Sequence, residues 1–323
     1  MYFLFSRYVV FICTIELAHF DSDETHYEPP TPVDIVPEQT LVNSLKGGTP
    51  TDIRRYPFLV SIQKFSIPRC VGSLITDSWV LTAAHCLIDL NRKTIFMLDP
   101  VDFIIISGRT IMTSGTMEGQ ERQAGIFIIH SRFERNSFKY DVGMVETTKP
   151  FVLGPSTKTI RMYAMPPEVI TFFQSCTLVG WNTGRHSFDD YEVPYLKPNS
   201  MKLEKIEMKV MSSVICQTIL YGLVSLESVC TYLDEQCPGQ SGSPLICGES
   251  LFGVFTWTAG CTNSSFPAVY ARVAKVHMWV NDNMKGRYIE SFRKVSSNGN
   301  KFKSWISLLF CNFSILLVIS VLR

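Results

Sequence analysis

Between Leu45 and Lys285 the chain is a succession of short β-type runs, none long enough to form a layer alone. "FLVSI", "FIIIS", "GIFIIH", "CTLVGW", "LFGVFTW" and "AVYARV" follow one another, separated by clusters of Gly, Pro, Asn and Asp. Many short strands bounded by turn formers predict an all-β sandwich or barrel. One stretch carries a helical period, "VAKVHMWVNDNM", which sets Val273, Val276, Trp279 and Val280 on one face. The expected fold is therefore all-β with a single closing helix.

The chain has 323 residues, 46% hydrophobic and 18% charged, with a formal net charge of +1. That suffices for a sizeable core. A near-neutral balance gives no electrostatic basis for holding nucleic acid. The 10 cysteines are many for a reducing compartment. None has the close paired spacing of a zinc site, so neither a metal nor another cofactor is expected.

The N-terminus accounts for the cysteines. "MYFLFSRYVVFICTIELA" has Arg7 early and then an apolar run, which reads as a secretory signal over residues 1–20. Secretion leads to an oxidising compartment where disulfides persist. Residues 21–44 are acidic and Pro-rich, with no Lys or Arg, and read as a pro-segment or linker. The folded domain is expected over 45–287, and a polar linker over 288–304. The tail, 305–323, is apolar for about 18 residues, or about 27 Å as a helix, close to the thickness of a bilayer core. Small residues precede it, with Ser297 to Gly299 as candidate attachment site, in the pattern of a GPI signal. Lys301 and Lys303 lie on the flank opposite to that of an ordinary single-pass anchor. The expectation is an extracellular protein attached to the membrane through this tail, by a GPI anchor or a retained span.

Serine becomes a nucleophile only when a base takes its proton, and the base is usually a histidine oriented by a carboxylate. Three motifs supply these parts. "LTAAHC" presents His85, "KYDVGMVE" presents Asp141 and "GQSGSP" presents Ser241. With "CVGSLITDSWVLTAAHC", "CTLVGW" and "WTAGC…PAVYARV" in order, the chain resembles the trypsin/chymotrypsin-like serine protease family from about Leu45 to Lys285.

The resemblance implies two packed six-stranded antiparallel barrels with a C-terminal helix. It implies His85 as general base, Asp141 as its orienting partner and Ser241 as nucleophile, with the N–H groups of Gly239 and Ser241 as oxyanion hole. It implies the bridges Cys70–Cys86, Cys176–Cys247, Cys216–Cys230 and Cys237–Cys261. Glu235 falls at the base of the substrate pocket, a carboxylate that would favour Lys or Arg. Thr256, Trp257, Thr258 and Ala268 fall along its wall. Thr256 stands where the family has a serine near the buried aspartate, and Thr258 and Ala268 replace glycines, which narrows the entrance. Asn263, in "NSS", is a glycosylation sequon in the same loop region.

The family activates by cleavage, when a new N-terminal amine pairs with an aspartate directly before the nucleophile. Here that position is Gln240, and Ser44, not a Lys or Arg, precedes the would-be terminus at Leu45. Both charges of the switch are missing together, which avoids a buried orphan charge. Two functions follow. One is a serine endopeptidase, acting on protein or peptide substrates through an acyl-enzyme and open to protease inhibitors, whose Gln240 holds the loop through amide hydrogen bonds without cleavage. The other is an inactive pseudoprotease serving as a binding or regulatory module.

Overall fold

The computed structural model describes residues 45–112, 118–164, 175–182, 201–233, 237–258 and 266–286. The expected signal, pro-segment, linker and tail lie outside them. Two short strands come first, β1 (Leu45–Lys46) and β2 (Thr49–Pro50). Then come β3 (Leu59–Lys64), β4 (Ile67–Leu74), β5 (Trp79–Thr82), β6 (Phe103–Ser107), a short β7 (Ile111–Met112), β8 (Gln120–Ile129) and β9 (Gly143–Thr147). Strands β3, β4, β5, β9, β8 and β6 close in that order into an antiparallel barrel.

The second half begins with β10 (Arg161–Met162), β11 (Ser175–Asn182) and β12 (Met201–Met211). It continues with β13 (Ser228–Thr231), β14 (Cys237–Pro238), β15 (Pro244–Cys247), β16 (Ser250–Thr258) and β17 (Ala268–Arg272). Here β16, β15, β11, β12, β13 and β17 are joined in sequence, and the β16–β17 pairing closes the ring. The two six-stranded antiparallel barrels are as expected.

Side-chain alternation explains why these segments are strands. Along β12, Met201, Leu203, Ile206, Met208 and Val210 are buried, while Lys202, Glu207 and Lys209 are exposed. The period of two changes face between Leu203 and Ile206: Met201 and Leu203 join the seam between the barrels, and Ile206, Met208 and Val210 the core of the second barrel. β5, Trp79–Thr82, is buried throughout, because its outer face is covered by the rest of the molecule. Phe252, Phe255 and Tyr270 fill the second barrel. The seam between barrels is apolar too, with Val179, Trp181, Leu203 and Val254 in one cluster with Leu59, Val71, Val80 and Leu81 of the first barrel. Burying each large apolar side chain contributes about 1.5–3 kcal/mol.

The C-terminal helix runs over 273–286 in the described residues. Val273, Val276 and Val280 are buried and Trp279 packs beside them, the face read from the sequence. A shorter helix, Ser213–Ile219, is capped by the Ser212 hydroxyl, which accepts from Ile215 N–H at 3.2 Å. No helix among the described residues is long and apolar enough to cross a membrane.

Three of the expected disulfides are formed, Cys70–Cys86, Cys176–Cys247 and Cys216–Cys230. The fourth, Cys237–Cys261, involves a residue outside the described ones.

Candidate active site

His85 comes off the end of β5. The strand finishes at Thr82 and the chain turns through a 3-10 turn, Ala84–Leu87, that is wholly buried. Cys86, the next residue, is tied to Cys70 of β4. From the same strand Arg69 reaches across, its guanidinium donating to the carbonyls of Cys86 at 2.8 Å and Ile88 at 3.0 Å. Burial lowers the Arg69 pKa, and the nearby Asp89 partly offsets this. The imidazole thus sits on a turn held by one covalent bridge and one guanidinium.

Asp141 sits just before β9. Gly143, the first residue of that strand, lets it pass close beneath the histidine turn. A Cβ there would lie 2.7 Å from Leu87 Cδ1 and 3.2 Å from Ala84 Cα. This closeness brings both carboxylate oxygens onto His85. Oδ1 accepts from the His85 backbone N–H at 2.8 Å, and Oδ2 from Nδ1–H at 2.6 Å. Both side chains are 0% exposed. A carboxylate on Nδ1 fixes the tautomer, so Nε2 is the nitrogen that can accept a proton. Nε2 is buried and makes no hydrogen bond in the protein.

Ser241 lies in a turn of the second barrel docked against the first. Its carbonyl accepts from Val71 N–H of β4 at 2.9 Å. Gly242 N–H donates to Phe255 of β16, and Phe255 N–H to Ser243. Gly242 has φ +81, and a Cβ on it would lie 2.1 Å from Val71 O and 2.4 Å from Thr82 Oγ1. Only glycine satisfies both the left-handed backbone and the contact. Gly239, on the other side of the serine, also has positive φ, +76. Cys70 neighbours Val71 and is bonded to Cys86, next to His85, so the same few residues of β4 locate both serine and histidine.

Gln240 is buried at 5% exposure. The amide hydrogen bonds expected to hold the loop are not seen at its Oε1, which is buried without a partner. The backbone does the holding, since Gln240 O accepts from Ser243 N–H at 3.2 Å. On the other side of Gly239, Cys237–Pro238 pairs as β14 with β1, Leu45 opposite Pro238 and Lys46 opposite Cys237. The segment that would become a new terminus is thus laid against the nucleophile loop.

Of the residues assigned to the pocket, Thr256, Trp257 and Thr258 are consecutive in β16 and buried, and Ala268 of β17 pairs with Thr258. The Thr256 hydroxyl donates to Val254 O at 3.3 Å, within its own strand. Thr258 donates to Pro267 O at 3.2 Å. Glu235 and Asn263 lie outside the described residues. Cys70, His85 and Cys86 come close enough to suggest a metal site, but both sulfurs are spent in a disulfide.

Two residues not singled out in the sequence matter here. Phe138 sets its ring edge against His85, centroids 5.3 Å apart, and Arg69 holds the histidine turn. An aromatic three residues before the aspartate, in "FKYD", is the one signal for the first.

A buried imidazole–carboxylate pair and a serine on a glycine turn, in the seam of two six-stranded barrels, together define the chymotrypsin-like class of protein. The family model described as Trypsin matches residues 45–280, and the chain belongs to that family. Among curated proteins it is similar to Hypodermin-B of Hypoderma lineatum, 26% identical over 285 residues, covering 86% of this chain and 98% of that one. It is similar to Trypsin beta of Drosophila erecta, 27% identical over 248 residues, covering 75% and 89%. It is also similar to the trypsin of Simulium vittatum, 27% identical over 245 residues, covering 72% and 90%.

Proposed function

We propose that the protein is a serine endopeptidase that works as an uncut chain, with Ser241 as nucleophile, His85 as general base and Asp141 as the group that orients it. The observation that carries this reading is the buried pair of bonds from Asp141 to His85, at 2.8 and 2.6 Å, which commits the other ring nitrogen to accepting a proton. In this mechanism Ser241 Oγ attacks the peptide carbonyl carbon while its proton passes to His85 Nε2. Asp141 stays ionised and stabilises the imidazolium. The N–H groups of Gly239 and Ser241 donate to the oxygen as it gains charge. The proton then goes from Nε2 to the leaving amine, and an acyl-enzyme remains. Water, deprotonated by the same nitrogen, hydrolyses it and regenerates Ser241.

Work without cleavage is supported by β1, which pairs through its backbone with Cys237–Pro238. Pairing two backbones needs no buried ammonium, and Gln240 offers no carboxylate to meet one. Thr258 opposite Ala268 suits a narrowed pocket for the substrate side chain, with Glu235 as its base. The substrates would be proteins or peptides, and protease inhibitors would compete for the same site. Disulfides suit an oxidising compartment. They fit secretion through the signal at 1–20, with residues 21–44 as pro-segment, 45–287 as the protease domain, and 288–304 leading to a tail that attaches the protein to the cell surface. Cys237–Cys261 would brace the pocket, and a glycan on Asn263 would sit beside it.

A second reading is favoured by one observation, the partnerless Oε1 of Gln240. A buried acceptor without a donor costs about 1–3 kcal/mol. A loop carrying that cost could yield its oxyanion geometry, leaving a pseudoprotease that binds without cutting. The two readings separate on hydrolysis of a mixed peptide library by the purified chain. Cleavage that disappears in Ser241→Ala supports the enzyme, and none with either protein supports the binding module.

A further inference from the structure

Tyr140 stands immediately before Asp141 with φ +53, a left-handed conformation that bulky side chains seldom adopt. Two residues earlier, Phe138 does the same at φ +51, and it is this residue whose ring meets His85. A segment bent in this way persists only where its surroundings over-determine it. For Tyr140 those surroundings can be named. Its ring stacks on His130 with centroids 4.8 Å apart and planes 10° from parallel. The Arg132 guanidinium lies 4.0 Å from the same ring. Its hydroxyl lies near Glu227, which precedes β13 in the second barrel. His130, just past β8, also touches Trp279 of the C-terminal helix, with centroids 4.9 Å apart.

Through His130 this stack links the first barrel to the C-terminal helix directly beside Asp141. The backbone adds to this. Tyr140 O accepts from Val142 N–H at 2.7 Å, and Val142 O accepts from His130 N–H at 3.0 Å. Asp141 lies between residues fixed on either side, and it can turn neither way without breaking the stack or these bonds.

We propose that Tyr140 is a positioning residue for the reaction: by clasping His130 and Arg132, it holds Asp141 at the angle that lets His85 keep both of its bonds. The inference rests on the serine endopeptidase reading for its kinetic consequence but not for its structural one. Tyr140 touches neither substrate nor His85, so its effect falls on kcat and leaves KM alone.

The test compares wild type with Tyr140→Gly and Tyr140→Phe. Glycine takes the positive φ without strain but loses every ring contact, whereas phenylalanine keeps the stack. Misplacement of a reacting group by about 1 Å can cost about 100-fold. Tyr140→Gly is therefore expected to lower kcat by about 10- to 100-fold with KM unchanged, and Tyr140→Phe to restore most of it. A second readout needs no turnover. The His85 Nδ1–H proton, in its short bond to Asp141, gives a far-downfield proton resonance, identified by its loss in His85→Gln. It should persist in Tyr140→Phe and broaden or vanish in Tyr140→Gly. If Tyr140→Gly keeps both the rate and the resonance, the proposal is overturned. If wild type has the resonance but cleaves nothing, the endopeptidase reading fails while the resonance still decides the clasp. Should Tyr140→Gly not fold, Arg132→Ala removes one arm at an exposed side chain. The loss of a cation–π contact then predicts kcat lower by about 2- to 5-fold, and an unchanged kcat and resonance overturns the proposal.

Discussion

Replacing Gly242 by alanine tests whether the serine turn is held by the first barrel. The added Cβ would fall 2.1 Å from Val71 O and 2.4 Å from Thr82 Oγ1. Neither atom can step aside. Thr82 Oγ1 is bonded to Val71 O at 2.7 Å, and Val71 N–H holds Ser241 O at 2.9 Å. The turn itself must withdraw by about 1 Å to reach ordinary contact, which gives up the Val71–Ser241 bond. A left-handed alanine costs about 1–2 kcal/mol and a lost hydrogen bond about 0.5–1.5 kcal/mol. The expected destabilisation is about 1.5–3.5 kcal/mol, a fall in Tm of roughly 3–14 °C for a domain of this size. Activity should suffer more than stability. A serine displaced by about 1 Å from its base loses on the order of 100-fold in acylation, even at temperatures where the variant is fully folded. Scanning calorimetry and the rate of reaction with a fluorophosphonate measure the two effects. A Gly242→Ala protein that melts within about 1 °C of wild type (under the roughly 3 °C minimum) and acylates at the same rate would refute the packing argument.

Two further variants probe the surroundings of the site. Gln240→Asp puts a carboxylate in a buried position where no ammonium arrives, and breaking one side of a buried pair costs about 3–5 kcal/mol. Its folded pKa would lie above the unfolded value, so stability is lost as pH rises, and Tm should drop more at pH 8 than at pH 5; a Tm equal to wild type at both shows that this loop is not sealed. His130→Gln addresses acid stability. Burial, and then the Arg132 charge, lower the His130 pKa from 6.5, so its contribution is present above the unfolded pKa and lost as pH falls through it toward the folded value. Wild-type Tm should fall between pH 7 and 5 more steeply than that of His130→Gln, and parallel curves would exclude His130 as the cause.

The fold, the His85–Asp141 pair and the glycine turn around Ser241 were legible because each rests on a local signal. Alternation such as that of Ile206 to Val210 marks a strand whatever lies beyond it. The motif around Ser241 carries its own turn in Gly239 and Gly242. Other features depend on tertiary contact, which leaves no local trace. Nothing in "FKYD" announces left-handed backbone at Phe138 and Tyr140, because neither residue favours it. The surroundings impose it, His85 against the first and His130 and Arg132 against the second. The pairing of Leu45–Lys46 with Cys237–Pro238 is too short for any pattern to reveal. Gln240 shows the same limit from the other side. Its identity excludes a buried charge pair, but its bare Oε1 could be known only from the packing around it.

The central claim is that Ser241 is competent in an uncut chain. The measurement that meets it most directly is intact-mass analysis of the purified protein after exposure to a fluorophosphonate, with Ser241→Ala alongside and the N-terminus sequenced. The expected result is a single adduct on chains whose N-terminus lies before Leu45, and none on Ser241→Ala. An adduct found only on chains beginning at Leu45, or on no chain at all, would contradict it.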